Sequence, residues 1–244
     1  MNPLGWMAHG LASLGDLLLP PACAVCGDLL DQSTPIVCPE CLSGFELLTG
    51  MLCPRCGQPY PGSGPCPDCR ESQNRLEKVR SVYAFGGALQ EAVLRLKLYH
   101  KTRLAAFFAG QIAGAKLSDL DLRAQDLLVP VPLHKRRQAN RGFNQSQLIA
   151  RRLSDLLDVP LASYHLCRTR PTPSQFVMKS KKERQENLKG AFSVKSRHPF
   201  GGKQICLVDD VVTTGSTLGA CADALLESGA RRVVAVTVAR TVHW

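Results

Sequence analysis

No stretch of about twenty apolar residues occurs anywhere in the 244 residues, so a helix crossing a membrane is not expected. The sequence also lacks a GxxxxGK[ST] loop, and no G-x-G-x-x-G follows a strand-like run. These absences remove a nucleotide triphosphatase and a dinucleotide enzyme from the leading candidates. An export signal is missing too. Residues 1–21 have apolar patches, densest at Leu17, Leu18 and Leu19, but no basic opening, and His9, Gly10, Gly15 and Asp16 break the run. That stretch reads as a short amphipathic helix, and the chain as cytoplasmic.

Acidic residues are scarce, 20 against 30 Lys and Arg, for a formal charge of +10. Placement matters more than the total. The excess concentrates in residues 134–184, which carry Lys135, Arg136, Arg137, Arg141, Lys179, Lys181 and Lys182 and few acids. Such a segment projects a field suited to polyanions, although a solvated basic face would look the same.

Residues 205–217 read ICLVDDVVTTGST. An apolar strand, Ile205 to Val208 by pattern, runs into Asp209 and Asp210, and ligands of a parallel α/β sheet sit beyond the carboxyl ends of its strands. Vicinal sugar hydroxyls want such acceptors. Thr213, Thr214, Gly215, Ser216 and Thr217 then lead into a helical run over 218–228, so hydroxyls, backbone N–H groups and the positive end of a helix dipole converge where a phosphate fits. The plain alternative is a capped turn with incidental acids. Against it, two neighbouring carboxylates facing one crevice repel each other unless a sugar, a cation or a basic residue relieves them.

Eight cysteines form four C-x-x-C pairs: Cys23 and Cys26, Cys38 and Cys41, Cys53 and Cys56, Cys66 and Cys69. Each pair is half of a tetrahedral thiolate site, and short hairpins close two such knuckles at little entropic cost. Two structural zinc ions are expected. Sequential pairing is the simpler arrangement, but an interleaved cross-brace uses the same residues, and eight thiolates can also ligate an iron–sulfur cluster. Disulfides would need an oxidising compartment, which no export signal supports. Cys167, Cys206 and Cys221 stand alone and read as structural thiols.

Beyond the cysteines, residues 71–78 read as a linker, 79–85 as a strand, 88–99 and 103–116 as helices, and 127–131 as a buried strand. Residues 134–144 read as a basic loop feeding a helix over 145–157. The polar, proline-bearing segment 166–192 reads as a mobile flap, and 232–239 as a final strand. Strands alternating with helices predict a doubly wound parallel sheet.

The stretch from Asp209 to Thr217 resembles the signature of type I phosphoribosyltransferases, which use phosphoribosyl pyrophosphate (PRPP). The wider order resembles the ComF/GntX family: PVPL at 130–133, RGFNQ at 141–145, TPSQ at 172–175 followed by Arg184, Asn187 and Ala191-Phe192, then DDVVTTGST at 209–217. Phe176 stands where relatives often carry Leu. Behind the short helical segment read over 1–22, the resemblance, which spans roughly 20–240, implies a double zinc ribbon over 23–70 and a type I phosphoribosyltransferase-like sheet with helices on both faces over 79–244. It further implies PRPP with Mg²⁺, the Asp209 and Asp210 pair on the ribose hydroxyls, and the 213–217 loop on the 5-phosphate. Arg136, Arg137 and Arg141 fall on pyrophosphate or nucleic acid, and Gln175 and Arg184 on the flap. Family members are associated with DNA uptake, which implies single-stranded DNA and a helicase or uptake protein as partners. The same residues suit either a binding protein or an active transferase, and no general base stands out.

Overall fold

The computed structural model describes residues 21–31, 36–73, 75–117, 119–170, 188 and 190–242. The expected N-terminal helix, apart from its last two residues, and the expected flap residues Gln175 and Arg184 lie outside the described residues, as do Lys179, Lys181 and Lys182.

Runs of Val, Ile and Leu without polar alternation mark strands covered on both faces. Four of them, β1 (Lys78–Ala84), β2 (Leu127–Pro130), β5 (Gln204–Val212) and β6 (Arg232–Arg240), form one parallel sheet in the order β1-β6-β5-β2. The register sets Leu127 beside Ile205 and Ile205 beside Val233, so every strand delivers its carboxyl end to the same edge. Helices α3 (Gly87–Leu98), α4 (Arg103–Gly114) and α6 (Gln145–Leu157) cover one face, where Phe108, Ile149 and Leu153 meet Cys206 and Val208. On the other, α7 (Ser216–Glu227) and a small antiparallel pair, β3 (Leu166–Arg168) with β4 (Phe192–Val194), bury Ile205 and Leu207 under Leu218, Cys221 and Leu225. The doubly wound sheet with helices on both faces is the architecture the alternation predicts.

Three boundaries differ from the sequence reading. The expected loop 134–144 contains a short helix, α5 (Lys135–Arg141), because His134 accepts from the Arg136 N–H at its start and Gly142, at φ 78°, turns the chain left-handed at its end. β5 runs on through both aspartates to Val212, held by the neighbouring β6, and α7 begins at Ser216 rather than at residue 218. Residues 71–78 are no loose linker. Leu76 is buried, Arg75 pairs with Asp223 at 3.3 Å, and the Glu77 N–H donates to Val233 O. The two ends of the expected flap are pinned as β3 and β4.

The four knuckles, with short helices α1 (Pro39–Ser43) and α2 (Pro67–Glu71), make two ribbons that dock differently. The first packs Phe45 edge-on against Tyr83, ring centroids 5.5 Å apart, and joins the core under α3 and α4. The second lies against β1, where the Val79 N–H donates to Arg55 O at 2.7 Å. Gly57, at φ +72°, is essential to that contact. A β-carbon there would fall 2.8 Å from Val79 O and push the ribbon off the strand.

Candidate functional site

The eight cysteines gather sequentially: Cys23, Cys26, Cys38 and Cys41 in one cluster, Cys53, Cys56, Cys66 and Cys69 in the other, with sulfurs within 4.8 Å of one another in each. Cys26 and Cys38 sulfurs stand 3.8 Å apart, and those of Cys56 and Cys66 3.7 Å. A tetrahedron with Zn–S bonds of about 2.3 Å has edges of about 3.75 Å, whereas a disulfide needs about 2.05 Å. The donor set therefore fits one zinc ion per ribbon, and the interleaved cross-brace is excluded. Backbone N–H groups of Val25 and Cys38 point at the Cys23 sulfur, the pattern that orients a thiolate ligand. Four thiols so close cannot ionise alike. A hydrogen bond from Cys69 leads in pulling Cys56 down to about 4, against burial and with help from the Gln58 N–H and the Arg240 guanidinium, while the same contact drives Cys69 up.

At the sheet's carboxyl edge, Asp209 and Asp210 end up with separate partners. Asp209 accepts from the Ser146 hydroxyl at 2.7 Å and from the Asp210 N–H. Asp210 is buried and pairs with Lys97 Nζ at 2.5 Å. Lys97 is the basic residue that relieves the adjacent charges. It comes from the last turn of α3, and nothing in its local sequence distinguishes it from an ordinary surface lysine. Ser146 is set by Asn144, the cap of α6, whose Oδ1 accepts the Ser146 N–H while its Nδ2 donates to Val131 O, tying the helix to the end of β2.

Thr213, Thr214 and Gly215 form the turn into α7, with Gly215 at φ +76° as its cap residue. The hydroxyls of Thr214 and Ser216 lie 2.9 Å apart. Arg136 and Arg137 are exposed on α5, and Arg141, partly buried, donates to Gln145 at 2.6 Å. Burial lowers Arg141 and the charge of Asp210 opposes that, which puts the guanidinium within electrostatic range of the acidic pair. Arg168 at the end of β3 stands in the same relation to Asp209 and near Arg137. The structure thus brings the acids, the hydroxyl turn and the basic residues of α5 to one edge. Phe143 is partly buried, edge-on to His100 at 5.5 Å, which suits a packing role. Cys206 and Cys221 are buried core thiols, and Cys167 is less so.

Burial, and next the charge of Asp210, push Asp209 from its ordinary 3.8 up to about 7, against the Ser146 hydrogen bond. A raised carboxyl contributes stability that is full below its unfolded value and lost as pH rises through its folded one, so the loss runs from about pH 4 to about pH 7. Asp209→Asn removes that loss. We expect its urea stability to gain on wild type progressively over this window, by up to about 4 kcal/mol above pH 7, and to run parallel beyond. A constant difference from pH 4 to pH 8 would disprove it.

Residues 14–70 match the double zinc ribbon domain family, and residues 140–243 match the phosphoribosyl transferase domain family. With the two thiolate clusters and the parallel sheet, this defines the class: a phosphoribosyltransferase-type domain carried behind a double zinc ribbon. The chain is 32% identical over 231 residues to the DNA utilization protein YhgH of Escherichia coli (strain K12), covering 93% of this chain and 100% of that one. It is 33% identical over 201 residues, 79% of each chain, to the competence protein ComFC of Bacillus subtilis (strain 168). The chain belongs to the ComF family. A solved purine phosphoribosyltransferase from Pyrococcus horikoshii is similar at 18% identity with a TM-score of 0.33, covering 60% of this chain and 86% of that one, a likeness too loose to carry a conclusion.

Proposed function

We propose that this chain binds PRPP or a ribose-phosphate group at the carboxyl edge of its sheet and handles incoming single-stranded DNA during DNA uptake, on the cytoplasmic side. The observation that carries the reading is the convergence of Asp209, Asp210, the Thr213 to Ser216 turn and the Arg137, Arg141 and Arg168 guanidiniums on one edge. The carboxylates suit ribose hydroxyls, the turn a 5-phosphate, and the guanidiniums a pyrophosphate or a nucleic-acid backbone. Mg²⁺, which keeps most of its waters, would share the pyrophosphate charge with a carboxylate oxygen of the acidic pair. The names of the relatives, DNA utilization and competence protein, support the uptake role. Among the described residues no helix is long and apolar enough to cross a membrane. A helicase or uptake protein would be the partner at the strand's entry.

An active PRPP-dependent transferase without a DNA role is the second reading. It is favoured by Asp209, held at about 7 and so able to exchange a proton near neutrality. Thermal shift with PRPP, ribose 5-phosphate and a single-stranded oligonucleotide, with and without Mg²⁺, tests the proposal, and pyrophosphate release from PRPP identifies the enzyme. Arg136 and Arg137 are exposed on α5, which makes them suitable for charge reversal. For a footprint of four to six phosphates, log K for a labelled oligonucleotide should fall with log salt at a slope of about −3 to −4. Arg136→Glu with Arg137→Glu should weaken binding for all sequences and flatten the slope, whereas Asp209→Asn leaves it nearly unchanged. No binding at about 50 mM salt, together with pyrophosphate release, would hand the protein to the transferase reading.

A further inference from the structure

The second ribbon and the hydroxyl turn face each other across a cavity of about 90 Å³. It is lined by Thr213, Thr214 and Gly215 of the turn, by Arg55 and Gln58 of the ribbon, and by Arg240, which the sheet register sets beside Val212 and whose side chain reaches the ribbon. By this measure a single water needs about 10–15 Å³, so the space accommodates a tetrahedral oxyanion rather than one solvent molecule. Its charged lining is mixed, Arg55 and Arg240 standing against Asp68, Cys56 and Cys69, so an oxyanion there would be met by the two guanidiniums and the Thr213 and Thr214 hydroxyls.

Arg240 is buried, 5% exposed, at the end of β6. Its Nε donates to Gln58 Oε1 at 3.1 Å and its Nη1 to the Cys56 carbonyl. Cys56 is a ligand of the second cluster and Gln58 lies two residues beyond it, so the knuckle that the metal shapes also aims the guanidinium. Arg55 ties the other side of the ribbon, donating to Cys69 O at 2.9 Å and to Leu76 O at 3.2 Å. No described residue of the first ribbon lines this cavity, and that ribbon packs instead against Tyr83.

We infer that the second zinc ribbon is the outer wall of the phosphate site, and that Arg240 is a positioning residue linking occupancy of that one zinc to binding of the phosphate group. The inference rests on the ribose-phosphate reading above and adds an asymmetry: the first zinc is scaffold only, the second is part of the ligand site. Linkage is reciprocal, so a ligand that binds better when the second zinc is in place must raise the affinity of that zinc by the same factor.

The test uses the full-length, zinc-loaded protein with ribose 5-phosphate as probe, measuring zinc affinity by competition with a chromophoric chelator and melting temperature in parallel. Ribose 5-phosphate should tighten one zinc per chain by about fivefold or more and leave the other unchanged. Gln58→Ala and Arg240→Gln should both retain two zinc ions and lose that selective gain. Should Arg240→Gln fold poorly, Gln58→Ala carries the test alone. A rise in melting temperature with neither zinc tightened, or with both tightened equally, would overturn the inference and leave the ribose-phosphate reading standing. No rise and no tightening would overturn both.

Discussion

Purified protein should carry two zinc ions per chain, and stripping them should unfold residues 23–70 while most of the parallel sheet persists. Four thiolates are the second ribbon's main source of order, and in the first they hold the knuckles that present Val25, Val37 and Phe45 to the core under α3 and α4. Among the described residues, Tyr60 is the one side chain other than cysteine packed in the core of the second ribbon, whereas Phe108, Ile149, Leu153, Leu207 and Leu225 belong to the two large cores of the sheet domain. Structural zinc contributes apparent free energies of about 10–16 kcal/mol in finger peptides, as much as a whole domain's stability, so a ribbon this small does not survive its loss. Elemental analysis counts the ions. Hydrogen exchange after chelation should show amides of the knuckles, such as Cys23, Gly27, Cys53 and Gly57, losing protection while those of β5 and β6 keep theirs. A zinc-free preparation protected throughout, or one with an iron–sulfur absorbance, would refute this.

Asp209→Asn combined with Asp210→Asn should abolish the rise in melting temperature that PRPP or ribose 5-phosphate produces. A ligand at a hundredfold its dissociation constant adds about 2.7 kcal/mol to stability, so the wild-type shift is large enough to see vanish. Both variant side chains keep a carbonyl for the Ser146 hydroxyl and the nearby N–H groups, so packing is little disturbed. What they lose is the charge that accepts two sugar hydroxyls at once. Lys97 loses its partner but is 22% exposed and can turn to water. A double variant that responds to ribose 5-phosphate as wild type does would remove the acidic pair from the site.

Much of this was legible in the chain because its chemistry is local. A C-x-x-C knuckle brings two thiolates together within four residues, and a strand, two acids and a hydroxyl turn bring carboxylates, hydroxyls and free backbone N–H groups together within thirteen, whatever the rest of the chain does. Regular alternation of apolar runs and amphipathic stretches likewise determined the doubly wound class, since a parallel sheet must cover both faces. The helix α5 escaped notice because its seven residues bury nothing and so leave no periodic apolar signal.

The tertiary structure alone decided which distant residues meet. Sequential and interleaved knuckles cost the same in sequence terms, and only the placed sulfurs separate them. Lys97 against Asp210, Ser146 against Asp209 and Arg240 against Gln58, 182 positions apart, depend on the strand order β1-β6-β5-β2 and on the second ribbon resting on β1. Periodicity reports which face of an element is buried but not which neighbour buries it. The sequence by itself therefore determined the two metal sites, the fold class and the hydroxyl turn after the acidic pair. The relief of the acidic pair and the meeting of the second ribbon with the hydroxyl turn came from packing between elements, where topology rather than local chemistry chooses the partners.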